Sequence, residues 1–145
     1  MVKILVKRFG KNIKLPAYKT SGSSGMDLMA NINNKIRIKS GKIALIPAGI
    51  AIAIPKGYEI QIRPRSGLAA KKGVTVLNTP GTVDSDYRGE LKIILINLSK
   101  KSFVVKSGDR VAQMILCPVL KGKLKEVKNL PKTVRGQGGF GSTGK

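Results

Sequence analysis

Histidine and tryptophan are absent from this 145-residue chain, and cysteine occurs once, at Cys117. Without histidine the commonest general base is missing, and so is every Ser-His or Cys-His nucleophile pair. A lone cysteine excludes an intramolecular disulfide and a zinc cage built on Cys and His. Acid-base chemistry is left to carboxylate, Lys or Tyr. A hard-metal site is left to oxygen ligands, which suit Mg²⁺. Cys117 sits in the apolar run Met114-Ile115-Leu116-Cys117 and is expected to be a buried, inert thiol. The longest apolar stretch, Ala44 to Pro55, holds two prolines and a glycine, well short of the ~20 apolar residues that span a bilayer. The N-terminus, Met1 to Arg8, has neither the apolar core nor the small-residue cleavage site of a signal peptide. These absences point to a soluble cytoplasmic protein with no membrane partner.

Acidic residues are scarce as well: seven against 28 Lys+Arg, for a formal net charge of +21. Such an excess favours polyanionic partners: nucleic acid, anionic membrane or phosphorylated small molecules. With three Tyr and three Phe, base-stacking platforms are few, and no obligate nucleic-acid partner is expected. Three of the seven acids, Asp84, Asp86 and Glu90, crowd into Thr82–Glu90. Carboxylates that are rare overall and close together shift one another's protonation, so this segment is a candidate site.

At this length the chain is most simply one domain, large enough to bury a core without staples. Period-two alternation dominates. Lys35–Lys39, Ile50–Ile54 and Glu59–Arg63 read as half-buried strands. Leu91–Leu98 and Val111–Leu116 are more continuously apolar, as in strands covered on both faces. Ser40-Gly41, Pro47-Ala48-Gly49, Thr79-Pro80-Gly81 and Ser107-Gly108-Asp109 mark turns. The pattern predicts an all-β antiparallel barrel or sandwich. One segment, about residues 66–72, reads as a short helix, with Ser66 as N-cap and Gly73 as the left-handed stop. Its start, flanked by Arg63-Pro64-Arg65, is a candidate anion site. From Lys121 the chain becomes lysine-rich and aperiodic, ending in a glycine-rich run with Arg135, Phe140, Ser142 and Thr143. Such a tail is expected to be flexible when alone and able to order over a phosphorylated ligand.

Five segments together resemble the trimeric deoxyuridine triphosphatases. They are Gly25–Ala30, Arg63–Ala69, Asn78–Glu90, Gly108–Gln113 and Arg135–Gly144, in the family's order and spread over nearly the whole chain. The resemblance implies a jelly-roll-like fold with residues 1–120 as a catalytic domain and 121–145 as an arm closing over a neighbour's site. It implies a homotrimer with shared sites and hydrolysis of dUTP to dUMP and pyrophosphate. That reaction keeps uracil out of DNA and supplies dUMP for dTMP synthesis. A deoxycytidine triphosphate deaminase of related fold would instead need a catalytic glutamate and an amide-reading pocket.

Roles follow from the resemblance. Asp84 matches the carboxylate that activates water. Tyr87 matches the ring beneath the deoxyribose, leaving no space for a 2′-hydroxyl. Asn78 and the chain from Thr82 and Val83 to Lys92 match a hairpin slot for uracil. Arg65, Ser66, Gly67 and Gln113 match phosphate contacts. Asp27 matches the residue that holds Mg²⁺ through water. In the arm, Arg135, Phe140, Gly141, Ser142 and Thr143 match a lid over base and phosphates. Asp86 and Glu90 are read as structural partners for nearby Arg or Lys.

Overall fold

The computed structural model describes residues 1–141; Ser142 and Thr143 of the expected lid lie outside them. Among the described residues there are eleven strands and one helix. They are β1 (Leu5–Arg8), β2 (Met26–Met29), β3 (Ile36–Ile38), β4 (Ile43–Pro47), β5 (Ile50–Ala53) and β6 (Tyr58–Arg63). The helix α1 (Ser66–Lys72) follows, then β7 (Val74–Val76), β8 (Gly81–Val83), β9 (Lys92–Asn97), β10 (Phe103–Val105) and β11 (Arg110–Pro118). All pairings are antiparallel. The larger sheets run β2-β11-β6-β8 and β4-β9-β7, with β1-β5 and β10-β3 as two-stranded pairs. This is the mostly-β antiparallel architecture expected from the alternation, of the jelly-roll type that the resemblance implies.

The strands close on one aliphatic core. Leu28, Ile38, Ile46, Ile50, Ile60, Ile93, Leu95 and Val111 are almost wholly buried. Each such side chain contributes roughly 1.5–3 kcal/mol relative to exposure. The strand β6 shows why alternation decides burial: Ile60 and Ile62 point inward, while Glu59, Gln61 and Arg63 stay on the outer face. The strand β9 departs from expectation. Ile93, Leu95 and Asn97 are buried, but Ile94 and Ile96 are only half-covered, so within one chain it is not buried on both faces. Cys117 is half-buried rather than enclosed.

The helix fits its expected bounds with one change of role. Ser66 is the first helical residue, and Arg65, extended at φ −93° and ψ 126°, is the N-cap without a side-chain cap. The first bonds run from Leu68 and Ala69 to the Arg65 carbonyl. Ser66 and Gly67 are exposed, and their amides precede the first helical bond. Gly73 does close the helix in the left-handed region, at φ 62° and ψ 26°.

One buried polar side chain organises the end of β9. Asn97, fully enclosed, donates to the carbonyls of Ile38 (2.9 Å) and Lys101 (2.8 Å). Its Oδ1 accepts from the Ser99 amide (3.0 Å) and hydroxyl (2.8 Å). Replacing it by alanine orphans the buried Ile38 carbonyl and unties Ser99 and Lys101 at once. Asn97→Ala is expected to lower stability by about 1–3 kcal/mol, read as a reduced midpoint in urea unfolding. An unchanged midpoint would show that the network contributes nothing.

Candidate active site

The acidic segment joins two sheets. The strand β8 pairs with β6, whereas β9 pairs with β4 and β7. The expected hairpin is therefore a corner: the chain leaves one sheet at Val83 and enters the other at Lys92. The corner is pinned by its own polar atoms. Leu91 donates to Ile50 O (2.8 Å) and accepts from Ala48 N (2.9 Å). The Glu90 carboxylate accepts the Gly49 amide at 2.9 Å, so its partner is backbone and not the Arg or Lys expected. Gly49 has φ +70°, and a side chain there would strike Ile13 and Asn31. The Tyr87 hydroxyl donates to Glu90 O (3.1 Å). Its ring lies over Gly89, where a Cβ would collide with the phenol. Arg88 closes the turn onto Ser85 O and Tyr87 O.

Within this corner is a cavity of ≈ 210 Å³, lined by Thr82, Val83, Asp84, Tyr87, Glu90 and Lys92 over a floor of Ile62, Leu91 and Ile93. That is smaller than the ~300–1,000 Å³ of pockets that take drug-sized ligands. It has room for a ring and a sugar, not for a chain of phosphates as well. Asp84 is exposed, and among the described residues its carboxylate accepts no hydrogen bond, which leaves it open to water or ligand. Asn78 does not line the cavity; its amide lies beside Gly81.

A second polar cluster sits on the opposite flank of β6. The ladder sets Asp27 of β2 and Arg63 of β6 on either side of Gln113 of β11. Arg65 Nε reaches Asp27 Oδ1 at 2.9 Å, and Arg110 Nη1 reaches Asp27 Oδ2 at 3.3 Å. Gln113 donates to Pro64 O at 3.0 Å. Arg65 and Arg110 on one carboxylate, with Arg63 alongside on β6 and donating to Gln61 Oε1, leave a net positive, donor-rich ledge suited to phosphate oxygens. The chain thus gathers Asp27, Arg65 and Gln113, with Ser66 and Gly67 adjoining, in one place. It gathers Thr82, Val83, Asp84, Tyr87 and Lys92 in another. Arg63 flanks the anion site expected at the helix start, whereas Arg110 had no assigned role from the sequence; its signal was its place within Gly108–Gln113.

Among the described residues the tail makes no hydrogen bond to either cluster. Val119 is held to Gly57 O, and from there to residue 141 there is neither strand nor helix. Arg135 turns back onto Gly138 O (2.8 Å), and Phe140 is fully exposed at φ 50°.

An antiparallel jelly roll with a small apolar-floored cavity and a separate arginine ledge has the features that suit a ligand with a compact ring at one end and an anionic group at the other. Comparison with known proteins narrows this. The profile of the dUTPase family matches residues 11–144. The deoxyuridine 5'-triphosphate nucleotidohydrolase of Hydrogenobaculum sp. (strain Y04AAS1) is 55% identical over 143 residues, spanning 99% of each chain. That of Fusobacterium nucleatum is 51% identical over 100% of each. A solved variant of the Staphylococcus bacteriophage 80alpha dUTPase with dUpNHpp superposes with a TM-score of 0.83 at 24% identity, over 98% of each chain. A variant dUTPase from phage phi11 of S. aureus, with a coordinated structural Mg(II) ion, gives 0.80 at 20% identity, over 90% of this chain and 99% of that one. At those identities the solved structures speak to fold alone. The chain belongs to the dUTPase family.

The stacking of Tyr87 on Gly89 gives a direct test of the corner. Gly89→Ala is expected to destabilise the fold by about 1–3 kcal/mol through overpacking. In the Gly89→Ala/Tyr87→Ala double variant most of that loss disappears, a coupling readable by urea unfolding. Additive losses would mean that the ring does not rest on the glycine.

Proposed function

We propose that the protein hydrolyses dUTP to dUMP and pyrophosphate. The observation that carries this is the cavity itself: an unpartnered Asp84 carboxylate beside Tyr87, in the family's own segment. The uracil and deoxyribose occupy the corner, framed by Thr82, Val83, Lys92 and, at the adjoining turn, Asn78. Uracil's edge is read there by polar groups; a mismatched base leaves such groups unpaired, which discriminates strongly. Tyr87 fills the space a 2′-hydroxyl needs, so ribonucleotides are excluded by sterics. Asp84 takes a proton from a water as that water attacks the α-phosphorus, which releases pyrophosphate. A carboxylate is the natural base in a chain without histidine.

Arg65, Ser66, Gly67 and Gln113 bind the phosphates. Arg63 and Arg110 add to the positive field around them. Asp27 bears on the metal. Its two oxygens already accept Arg65 and Arg110. Among the described residues no cluster of three Asp, Glu, Cys or His is arranged to hold an ion. An ionised carboxylate still has free lone pairs. The residues therefore fit a Mg²⁺ brought by the triphosphate and touched by Asp27 through water, and do not fit an all-protein cage. When bound, the ion would neutralise charge on the phosphate oxygens.

The two clusters lie on opposite flanks of β6, and the cavity is too small for the whole nucleotide. Both facts support a homotrimer in which the corner of one subunit faces the arginine ledge of the next. In this reading residues 1–120 form the catalytic body, and the arm 121–145 comes from the third chain. Arg135 then meets the terminal phosphate, Phe140 and Gly141 cover the base, and Ser142 and Thr143 donate to phosphate. The closed arm excludes water. The cellular role follows from the reaction: uracil is kept out of DNA, and dUMP is supplied for dTMP synthesis, in the cytoplasm. Among the described residues no helix is long and apolar enough to cross a membrane.

Two measurements test this. Asp84→Asn is expected to bind dUpNHpp normally while turnover falls about 10²–10⁴-fold; retained turnover would remove Asp84 as the base. For the shared site, Asp84→Asn and Arg65→Ala chains are each expected to be nearly inactive. Co-refolded in equal amounts they should regain roughly one quarter of normal activity, since each intact site draws its halves from different chains. No recovery would place both halves within one subunit.

A further inference from the structure

The end of α1 and the turn after β9 enclose a cleft of ≈ 740 Å³ away from both clusters of the active site. Its walls carry Lys71, Lys72, Lys100 and Lys101, with Ser99 and Ser102 between them. None of the chain's seven acidic residues lines it. Among the described residues, both ion pairs are made by arginines on Asp27, so no lysine in the cleft has an internal counter-charge. The walls are nonetheless fixed. Leu98 donates to Gly73 O at 2.8 Å, tying the turn to the helix stop. A Cβ on Gly73 would press against Ser99. Buried Asn97 holds Ser99 and the Lys101 carbonyl in place. Lys71 and Lys72 also complement the C-terminal end of the α1 dipole, but Lys100 and Lys101 have no such use, and a rigid frame that clusters all four around a concavity is unfavourable for folding.

We propose that this cleft docks the phosphodiester backbone of duplex nucleic acid, a binding that turnover does not require. Lysine supports this over a discrete phosphate site: its ammonium is a mobile point charge without the planar fork that fixes a single phosphate. The concavity supports it over an anionic bilayer, because a ridge of phosphates enters a cleft whereas a flat surface meets only its rims. Binding is independent of base sequence. The one aromatic in the lining, Phe103, is half-buried in β10, so no stacking platform is offered. The ammonium groups displace counterions instead, which makes affinity fall steeply with salt.

The test is fluorescence anisotropy of a labelled short DNA duplex against the full-length protein over a range of salt. The Lys71/Lys72/Lys100/Lys101→Gln variant is expected to show a slope of log affinity against log salt shallower by about 3–4. Its dUTP turnover stays unchanged, which also reports that it has folded. The smaller Lys100/Lys101→Gln pair should flatten the slope by about 2, with the same retained turnover. A control of equal charge, Lys11/Lys14/Lys19/Lys35→Gln, should lose far less. Equal loss in the control would overturn the proposal in favour of bulk charge. Competition by dUpNHpp would move the binding to the active site. Tighter, cleft-dependent binding to phosphatidylserine vesicles than to the duplex would make the partner a membrane. No binding to the duplex at low salt would end the idea.

Discussion

The hydrogen bond from the Gly49 amide to the Glu90 carboxylate is the constraint on which the site depends. It joins the turn between β4 and β5 to the corner between β8 and β9, and so carries the β4–β9 pairing on into the corner. Gly49 can offer its amide because it has no side chain and adopts a positive φ. Glu90 can accept because the corner's backbone bonds to Ala48 and Ile50 hold it there. Once Glu90 is placed, its carbonyl places the Tyr87 hydroxyl, and Gly89 gives the ring room to lie down. The cavity is thus a by-product of how two sheets are stitched together. Asp84 is carried at its mouth, its carbonyl accepting the Tyr87 amide while its carboxylate, among the described residues, accepts no hydrogen bond.

The strand β6 divides the chemistry. Its inner residues, Ile60 and Ile62, belong to the core, and Ile62 also floors the cavity. One neighbour, β8, leads into the nucleoside corner. The other, β11, presents Gln113 beside Asp27 and the arginines. A single chain built this way carries the two clusters apart, as the proposed sharing of a site between copies requires.

The sequence showed the strand-rich class, the helix and its glycine stop, because burial period and backbone sterics are local properties. Ile50–Ala53 and Tyr58–Arg63 fall within a residue or so of where alternation puts them. Short strands such as β7, β8 and β10 carry too few residues for a period to emerge. The strand β1 is exposed throughout and has no buried face to betray it. The hairpin slot is an expectation of the resemblance; nothing in Thr82–Lys92 itself tells which strands its ends will join, and that is decided by β6 and β4, far away in the chain. Glu90 looked like an ion-pair partner because the chain is full of cations, yet a fixed amide was nearer. Ser66 had the composition of a cap, but Arg65 took that position because the chain is still extended there. Motif order found Asp84, Arg65 and Gln113; only the ladder showed that Asp84 stands apart from the other two.

Among the described residues no lysine makes an internal ion pair, although Lys7 lies over the Phe9 ring, and this bears on how such a chain can change. Exchanging or acylating an ammonium group on this surface breaks no internal ion pair. The architecture and the electrical field it projects are therefore separable traits. The surface potential can drift, or be retuned by covalent modification, with little penalty in the folded state.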